Sequence, residues 1–100
     1  MADNGRVAKL SDDEIETALS GRPGWSRDGN AIRTSYERAS FPDAIAFVVR
    51  IGYLAEAADH HPDLDVRWRT VHVILSTHDA GGITGKDFDL AQQIDAAAGR

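Results

Sequence analysis

Cysteine is absent from the 100-residue sequence. Its absence excludes disulfide bonds, thiol nucleophiles and thiolate metal sites, and it leaves the redox compartment open. Long hydrophobic runs are also missing, because no stretch approaches the roughly 18 apolar residues that a membrane-spanning helix needs. Residues 1–10 contain neither the apolar segment of a signal peptide nor an Arg- and Ser-rich targeting pattern. We therefore expect a cytoplasmic protein with no membrane partner.

Basic residues are scarce, with 11 Lys+Arg against 16 Asp+Glu and a formal net charge of −5. Binding to duplex nucleic acid depends on Lys and Arg that neutralise phosphates, so a nucleic-acid partner is not expected. The 42% of hydrophobic and 27% of charged residues are typical of a folded domain. We predict a flexible N-terminal tail over residues 1–10 and a single domain over residues 11–100. A domain of this size buries only about 65% of its unfolded surface, which favours self-association.

Local signals in the first half predict two helices and a hairpin. Ser11 and Glu14 have the spacing of a capping box, which predicts a short first helix that ends near Gly21. Alternating segments flank Asp28-Gly29, a strong hairpin signal, and strands one and two are assigned there. The apolar stretch Ala44–Ala58 has the length and the i, i+3, i+4 spacing of a second helix.

The second helix is predicted to be apolar nearly all round, since Arg50 and Glu56 are its only charged residues. A small sheet can cover only one side of such a helix. We therefore expect the remaining apolar surface to pack against another copy of the chain, in a homodimer or homotetramer. The alternative is that the first and third helices cover it.

Alternating β-branched and aromatic residues assign strands three and four to Val66–Arg69 and Val71–Thr77. A tight turn is predicted near Arg69-Thr70. Within strand three, the alternation places Trp68 in the core. We interpret His72, in mid-strand, as a solvated or interfacial residue.

The spacing of Thr84 and Asp87 predicts the start of a third helix that runs to about Ala97, with Asp87 as a structural cap. The element order is then α-β-β-α-β-β-α. Because each pair of strands is joined too tightly for a crossover, we predict an α+β two-layer fold. Its four-stranded antiparallel sheet carries the three helices on one face.

Three of the four histidines lie at the ends of predicted elements. His60 and His61 close the second helix, and His78 closes strand four. Imidazole, with an ordinary pKa of about 6.5, can act as acid or base at neutral pH. Glu56 precedes His60 by four residues, which places both on one helical face if the helix persists that far. An isolated histidine at a helix C-terminus could instead only interact with the helix dipole.

The spacing of seven residues resembles the signature of the pterin-4a-carbinolamine dehydratase family. The pattern reads Glu56-x3-His60-His61-Pro62-x5-Trp68-x9-His78-x8-Asp87. The likeness extends to the segment Leu75–Gly82 and to Gly24-Trp25, so it covers roughly residues 11–97.

The resemblance implies a lyase that removes water from 4a-hydroxytetrahydropterin and yields quinonoid dihydropterin, a step of tetrahydrobiopterin recycling. It implies neither a metal nor an organic cofactor. Elimination needs an acid for the departing hydroxyl and a base for the N5 proton. By resemblance His60 and His78 form this acid/base pair, and His61 is a second-ranked participant. The substrate-binding residues that it implies are Glu56, Ser76, Thr77 and Asp79.

Two alternatives stay open. Relatives of this family also act as a dimerisation cofactor of a homeodomain transcription factor or as an assembly factor, so a non-catalytic dimeric protein-binding module is possible. A pure binding module has no need for three imidazoles at matched spacing, which favours the enzyme. The other alternative is a metal site built from His60, His61, His78 and Glu56. Adjacent histidines at a helix end diverge, which disfavours that geometry.

Overall fold

A computed structural model describes residues 8–100 of the chain. The elements in chain order are α1 (Asp12–Ser20), β1 (Ser26–Asp28), β2 (Ala31–Glu37), α2 (Phe41–Ala58), β3 (Asp63–Arg67), β4 (Thr70–Leu75), a 3-10 turn (His78–Ala80) and α3 (Gly85–Ala98). Most of the predicted N-terminal tail, residues 1–7, lies outside the described residues. At its end, Leu10 packs against the core and its backbone N–H donates to the carbonyl of Ile83 at 2.9 Å.

The four strands form one antiparallel sheet in the order β1-β2-β4-β3. Helix α2 connects β2 to β3, and β4 then returns between them. In β4, Val71, Val73 and Leu75 are fully buried while the residues between them are partly exposed, so the helices cover one face only. The predicted α+β fold is confirmed. Within residues 8–100 no helix is long and apolar enough to cross a membrane.

The predicted helix and hairpin signals are confirmed. Ser11 and Glu14 form a complete capping box at the start of α1, and Thr84 and Asp87 form another at the start of α3. Gly29 occupies the tip of the β1–β2 hairpin with φ 60°, a left-handed conformation that glycine adopts without steric cost.

The prediction that Trp68 lies on strand three and in the core is wrong. Strand β3 spans Asp63–Arg67 and pairs Val66 with Val71, so the chain reverses at Trp68 and Arg69. A residue at the tip of a two-residue hairpin projects beyond the sheet and cannot reach its covered face. Trp68 is accordingly 70% exposed, with φ 52°, and the Arg69 guanidinium lies 4.8 Å from its ring centroid.

Helix α2 has one buried side and one exposed apolar side. Four residues at intervals of four form a line along the exposed side, here called the α2 stripe: Phe41, Ile45, Val49 and Tyr53 are 50%, 41%, 54% and 77% exposed. On the opposite side the helix buries Ala44, Phe47, Ile51 and Ala55 in the core. The first and third helices therefore do not cover the α2 stripe.

A buried carboxylate, Asp95, is the polar centre of the core. It accepts hydrogen bonds from the Trp25 indole at 3.1 Å and from the Tyr36 hydroxyl at 2.5 Å, and it forms ion pairs with Arg22 at 3.0 Å and Arg100 at 3.2 Å. Burial, together with the Asp95 carboxylate, raises the pKa of Tyr36 far above its ordinary value. Tyr36 therefore remains a hydrogen-bond donor at any physiological pH.

Candidate active site

The three histidines singled out in the sequence meet in one cavity of about 200 Å³ that is open to solvent. Its lining residues are Asp59, His60, His61, Ser76, Thr77, His78, Asp79 and Lys86. Six of the seven predicted site residues are among them, and Glu56 is not. Asp59 and Lys86 line the cavity without having been predicted. The only signals for them are their places in the chain, directly before His60 and directly before Asp87.

The end of helix α2 separates the two adjacent histidines. The helix stops at Ala58, and Asp59 adopts the left-handed conformation with φ 50° and ψ 44°. Its backbone N–H caps the helix by donating to the carbonyls of residues 55 and 56. After this reversal His60 turns into the protein and is 7% exposed, whereas the side chain of His61 is 62% exposed.

The predicted alignment of Glu56 with His60 on one helical face is therefore wrong, because the helix does not persist to His60. Glu56 instead lies 2.9 Å from His61, between Oε1 and Nε2, in a pair that is largely exposed. An exposed pair of this kind contributes little stability. Its geometric effect is to hold the His61 ring at the edge of the cavity.

His60 is bound to a buried carboxylate. Its Nε2 lies 2.5 Å from Oδ1 of Asp87, whose side chain is fully buried. The other oxygen, Oδ2, accepts from the Thr77 hydroxyl at 2.9 Å and from the Thr84 backbone N–H at 2.9 Å. Asp87 is thus the predicted cap and also the partner of His60. Since an ionised carboxylate only accepts, Nε2 carries the hydrogen, and in the neutral form of the imidazole Nδ1 then carries the lone pair.

The sequence predicts that His78 closes strand four, and this prediction is wrong. Strand β4 ends at Leu75, which pairs with Ile32, the second residue of strand β2. The chain then forms a closed loop in which Thr77 and Gly82 exchange backbone hydrogen bonds of 2.9 and 3.3 Å. His78 opens the 3-10 turn inside this loop and is exposed to solvent.

The remaining predicted residues differ in what they can offer a ligand. The Ser76 hydroxyl donates to the Asn30 carbonyl at 2.8 Å and is exposed. The Thr77 hydroxyl lies between Asp87 and Thr84 Oγ1, at 2.9 and 2.8 Å, so its hydrogen-bonding capacity is used within the protein. Asp79 is exposed at the rim of the cavity.

Residues 8–100 contain no set of ligands for the alternative metal site. No group of three or more His, Asp or Glu side chains in this part of the chain is arranged to hold a metal ion. Glu56 and His61 point to the rim, and His60 is already bound to Asp87. The arrangement instead provides three imidazoles with different surroundings: one held by a buried carboxylate, one paired at the surface and one exposed on a closed loop.

Comparison with known proteins gives relatives for nearly the whole chain. The sequence profile of the family described as Pterin 4 alpha carbinolamine dehydratase matches residues 8–97. A protein of Roseiflexus castenholzii, provisionally named a pterin-4-alpha-carbinolamine dehydratase, is 64% identical over 89 residues, covering 89% of this chain and 96% of that protein. A protein of Mycobacteroides abscessus with the same provisional name is 52% identical over 94 residues, covering 94% and 100%.

Solved structures show the same fold. A crystal structure described as a transcriptional coactivator/pterin dehydratase from Brucella melitensis superposes with a TM-score of 0.86 at 32% identity, covering 90% of this chain and 98% of that one. A pterin dehydratase-like RuBisCO assembly factor of the alpha-carboxysome has a TM-score of 0.66 at 21% identity, covering 78% and 93%, and shares the fold alone. From its sequence and its fold, the chain belongs to the pterin-4-alpha-carbinolamine dehydratase family.

Proposed function

We propose that this protein is a lyase that dehydrates 4a-hydroxytetrahydropterin to quinonoid dihydropterin. The observation that carries the proposal is the hydrogen bond between His60 and the buried Asp87, at a cavity that His60 shares with His61 and His78. This arrangement supplies a positioned imidazole next to an exposed one. Membership of the family supplies the substrate class.

The elimination moves two protons and one electron pair. The 4a-hydroxyl takes up a proton and leaves as water with the electrons of the C4a–O bond. The N5–H bond loses its proton to a base, and its electrons form the C4a=N5 double bond. One proton is delivered and one is removed, so the net number of protons on the protein is unchanged, and the acid and the base regain their starting states by exchanging protons with water. Neither step requires an external oxidant or a metal.

The surroundings of the histidines suit different halves of this reaction. His60 has a free lone pair on Nδ1 while Asp87 holds Nε2–H, and the imidazolium that forms after it accepts a proton is stabilised by that carboxylate. In this proposal His60 is the base. His78 is exposed, can exchange its proton with water, and acts as the acid. His61, held by Glu56, orients the substrate at the cavity edge.

A direct assay tests the proposal. The purified protein should accelerate the decay of 4a-hydroxytetrahydropterin above the spontaneous rate, followed by absorbance of the quinonoid product. Prolonged treatment with EDTA should leave the rate unchanged, because imidazole acid/base chemistry needs no Lewis acid. Loss of activity on chelation, restored by zinc, would contradict the mechanism. A rate equal to the uncatalysed background would contradict the function itself.

A second candidate function, a dimeric protein-binding module, is favoured by the α2 stripe. An apolar line of four large side chains is rarely left in water on a soluble protein. We infer that a second copy of the chain covers it, in a homodimer or homotetramer. The Brucella relative is described as a transcriptional coactivator as well as a dehydratase. The two functions are therefore compatible in one fold, and the dehydration assay decides whether catalysis is one of them.

A substitution in the α2 stripe tests self-association. The wild type should sediment as a dimer or larger at micromolar concentration, and Val49→Asp or Ile45→Asp should yield monomers, because association would bury an unpaired charge. Val48 is a poorer position, since it packs against the core and its replacement would affect folding. Arg50→Glu, exposed on the same helix but outside the stripe, should leave the assembly intact. A monomeric wild type would contradict the prediction.

A further inference from the structure

Lys86 is a basic residue that lines the cavity shared by His60, His61 and His78, here called the histidine cavity. It has no role in the mechanism above. It is the second residue of α3, and its backbone N–H donates to Thr84 Oγ1 at 3.2 Å, which fixes where the side chain starts. The side chain lines the histidine cavity and also an adjoining cavity whose wall includes His60, Leu90 and Gln93. Lys86 therefore stands beside His60 where the two cavities meet.

Within residues 8–100 no ion pair of the Lys86 ammonium is found, although Asp59 and Asp79 line the same cavity and Asp89 lines the adjoining one. An ammonium group has three hydrogens to donate and cannot accept a hydrogen bond. An ammonium on a residue that lines a cavity, without a carboxylate partner, is available for an acceptor atom of a ligand. Asp59 and Asp79 have the opposite chemistry, because carboxylates only accept.

The two edges of the pterin pyrimidinone ring match this distribution. Its 2-amino group and N3–H are donors, and its 4-oxo oxygen is an acceptor. On the basis of the proposed function, the geometry points to Lys86 as the residue that donates to the 4-oxo oxygen. The protein then selects 4-oxo pteridines over pteridines with an amino group at position 4. Because C4 is bonded to C4a, this contact also places the reacting carbon next to His60.

Binding of two unreactive probes tests the assignment: pterin, with an oxygen at position 4 and a donor at N3, and 2,4-diaminopteridine, with a donor at position 4 and an acceptor at N3. The part of the preference that Lys86→Met removes isolates the contact at position 4. The wild type should bind pterin about tenfold more tightly, as expected for a hydrogen bond from a charged donor. Lys86→Met should remove most of this preference, and Lys86→Arg should retain it. Lys9→Met is the matched control, because Lys9 is the only other lysine and lies outside the cavity lining, against Gly82.

The possible outcomes separate this inference from the function on which it rests. If Lys86→Met keeps the preference of the wild type while both dehydrate the substrate, the role of Lys86 is wrong and the lyase stands. If the wild type binds neither probe and does not dehydrate the substrate, the proposed function fails and this inference fails with it. If Lys9→Met loses the preference as well, the effect is one of overall charge and contradicts a specific contact. Circular dichroism of each variant confirms that it is folded.

Discussion

His78→Ala should lower the dehydration rate by about 10²-fold or more, the usual effect of losing a positioned acid or base. Its imidazole is exposed on a loop whose backbone bonds do not involve the side chain. The melting temperature should therefore change by only a few degrees, and the assembly should persist. Stopped-flow absorbance of the quinonoid product and a thermal melt measure the two quantities.

His60→Ala should cause a loss of similar size, but it also leaves Asp87 Oδ1 without its partner in the core. His60→Gln is the better variant, because the amide can still donate to Asp87 while it cannot accept a proton at neutral pH. The double variant His60→Ala/His78→Ala should lose far less than the product of the single losses, because residues that act as one unit are not additive.

The fourth histidine provides the control for these substitutions. His72 lies on the open face of the sheet, with Nδ1 2.6 Å from the Ser35 hydroxyl, and it does not line the cavity. His72→Ala should dehydrate the substrate at the wild-type rate. If His78→Ala does so too, the acid/base assignment is wrong and the protein-binding module gains support.

Asp95→Ala should destabilise the protein by about 3–5 kcal/mol, the range found when one partner of a buried ionic group is removed. The substitution leaves the buried donors of Trp25 and Tyr36 unpaired and places the partly exposed Arg22 and Arg100 beside a cavity. Equilibrium unfolding in urea measures the change. The free energy of unfolding of a small domain is about 5–15 kcal/mol, so the substitution should remove a large part of the stability and lower the urea midpoint clearly.

Asp28→Ala is the matched substitution for this experiment. Asp28 is paired with Arg33 at 3.4 Å, and both side chains are largely solvated. An exposed pair of this kind contributes about 0–1 kcal/mol. Equal small effects of the two substitutions would show that the Asp95 network does not stabilise the fold in the way its contacts indicate.

Short-range chemistry explains what the sequence could predict. A capping box is a pattern of residues three apart, and an Asp-Gly turn is a pattern of two, so both are visible without the fold. The ends of elements were less predictable. Asp59 adopts a left-handed conformation that glycine takes more readily, and the sequence therefore gives no sign that the helix ends there. Because it ends there, Glu56 contacts His61 and not His60.

Long-range contacts account for what sequence reasoning missed. Asp95 binds Trp25 and Tyr36, which are 70 and 59 positions away, and nothing in the neighbourhood of Asp95 in the sequence marks it as buried. The sequence predicts the turn before strand β4 near Arg69-Thr70, but it lies one residue earlier, at Trp68 and Arg69. This difference takes Trp68 out of strand three and out of the core. Strand β3 begins with alternating aspartates, a residue type depleted in strands, so its true start at Asp63 was not recognised.

The closed loop from Thr77 to Gly82 has a consequence for the entropy of catalysis. Fixing the backbone of one residue costs about 1–2 kcal/mol, and a free loop would lose that freedom when the substrate binds. Here the bonds between Thr77 and Gly82 and the 3-10 turn inside them order the backbone of His78 as soon as the chain folds. The entropic cost of ordering this backbone is therefore part of folding. A substrate that enters the cavity meets a histidine whose backbone is already fixed.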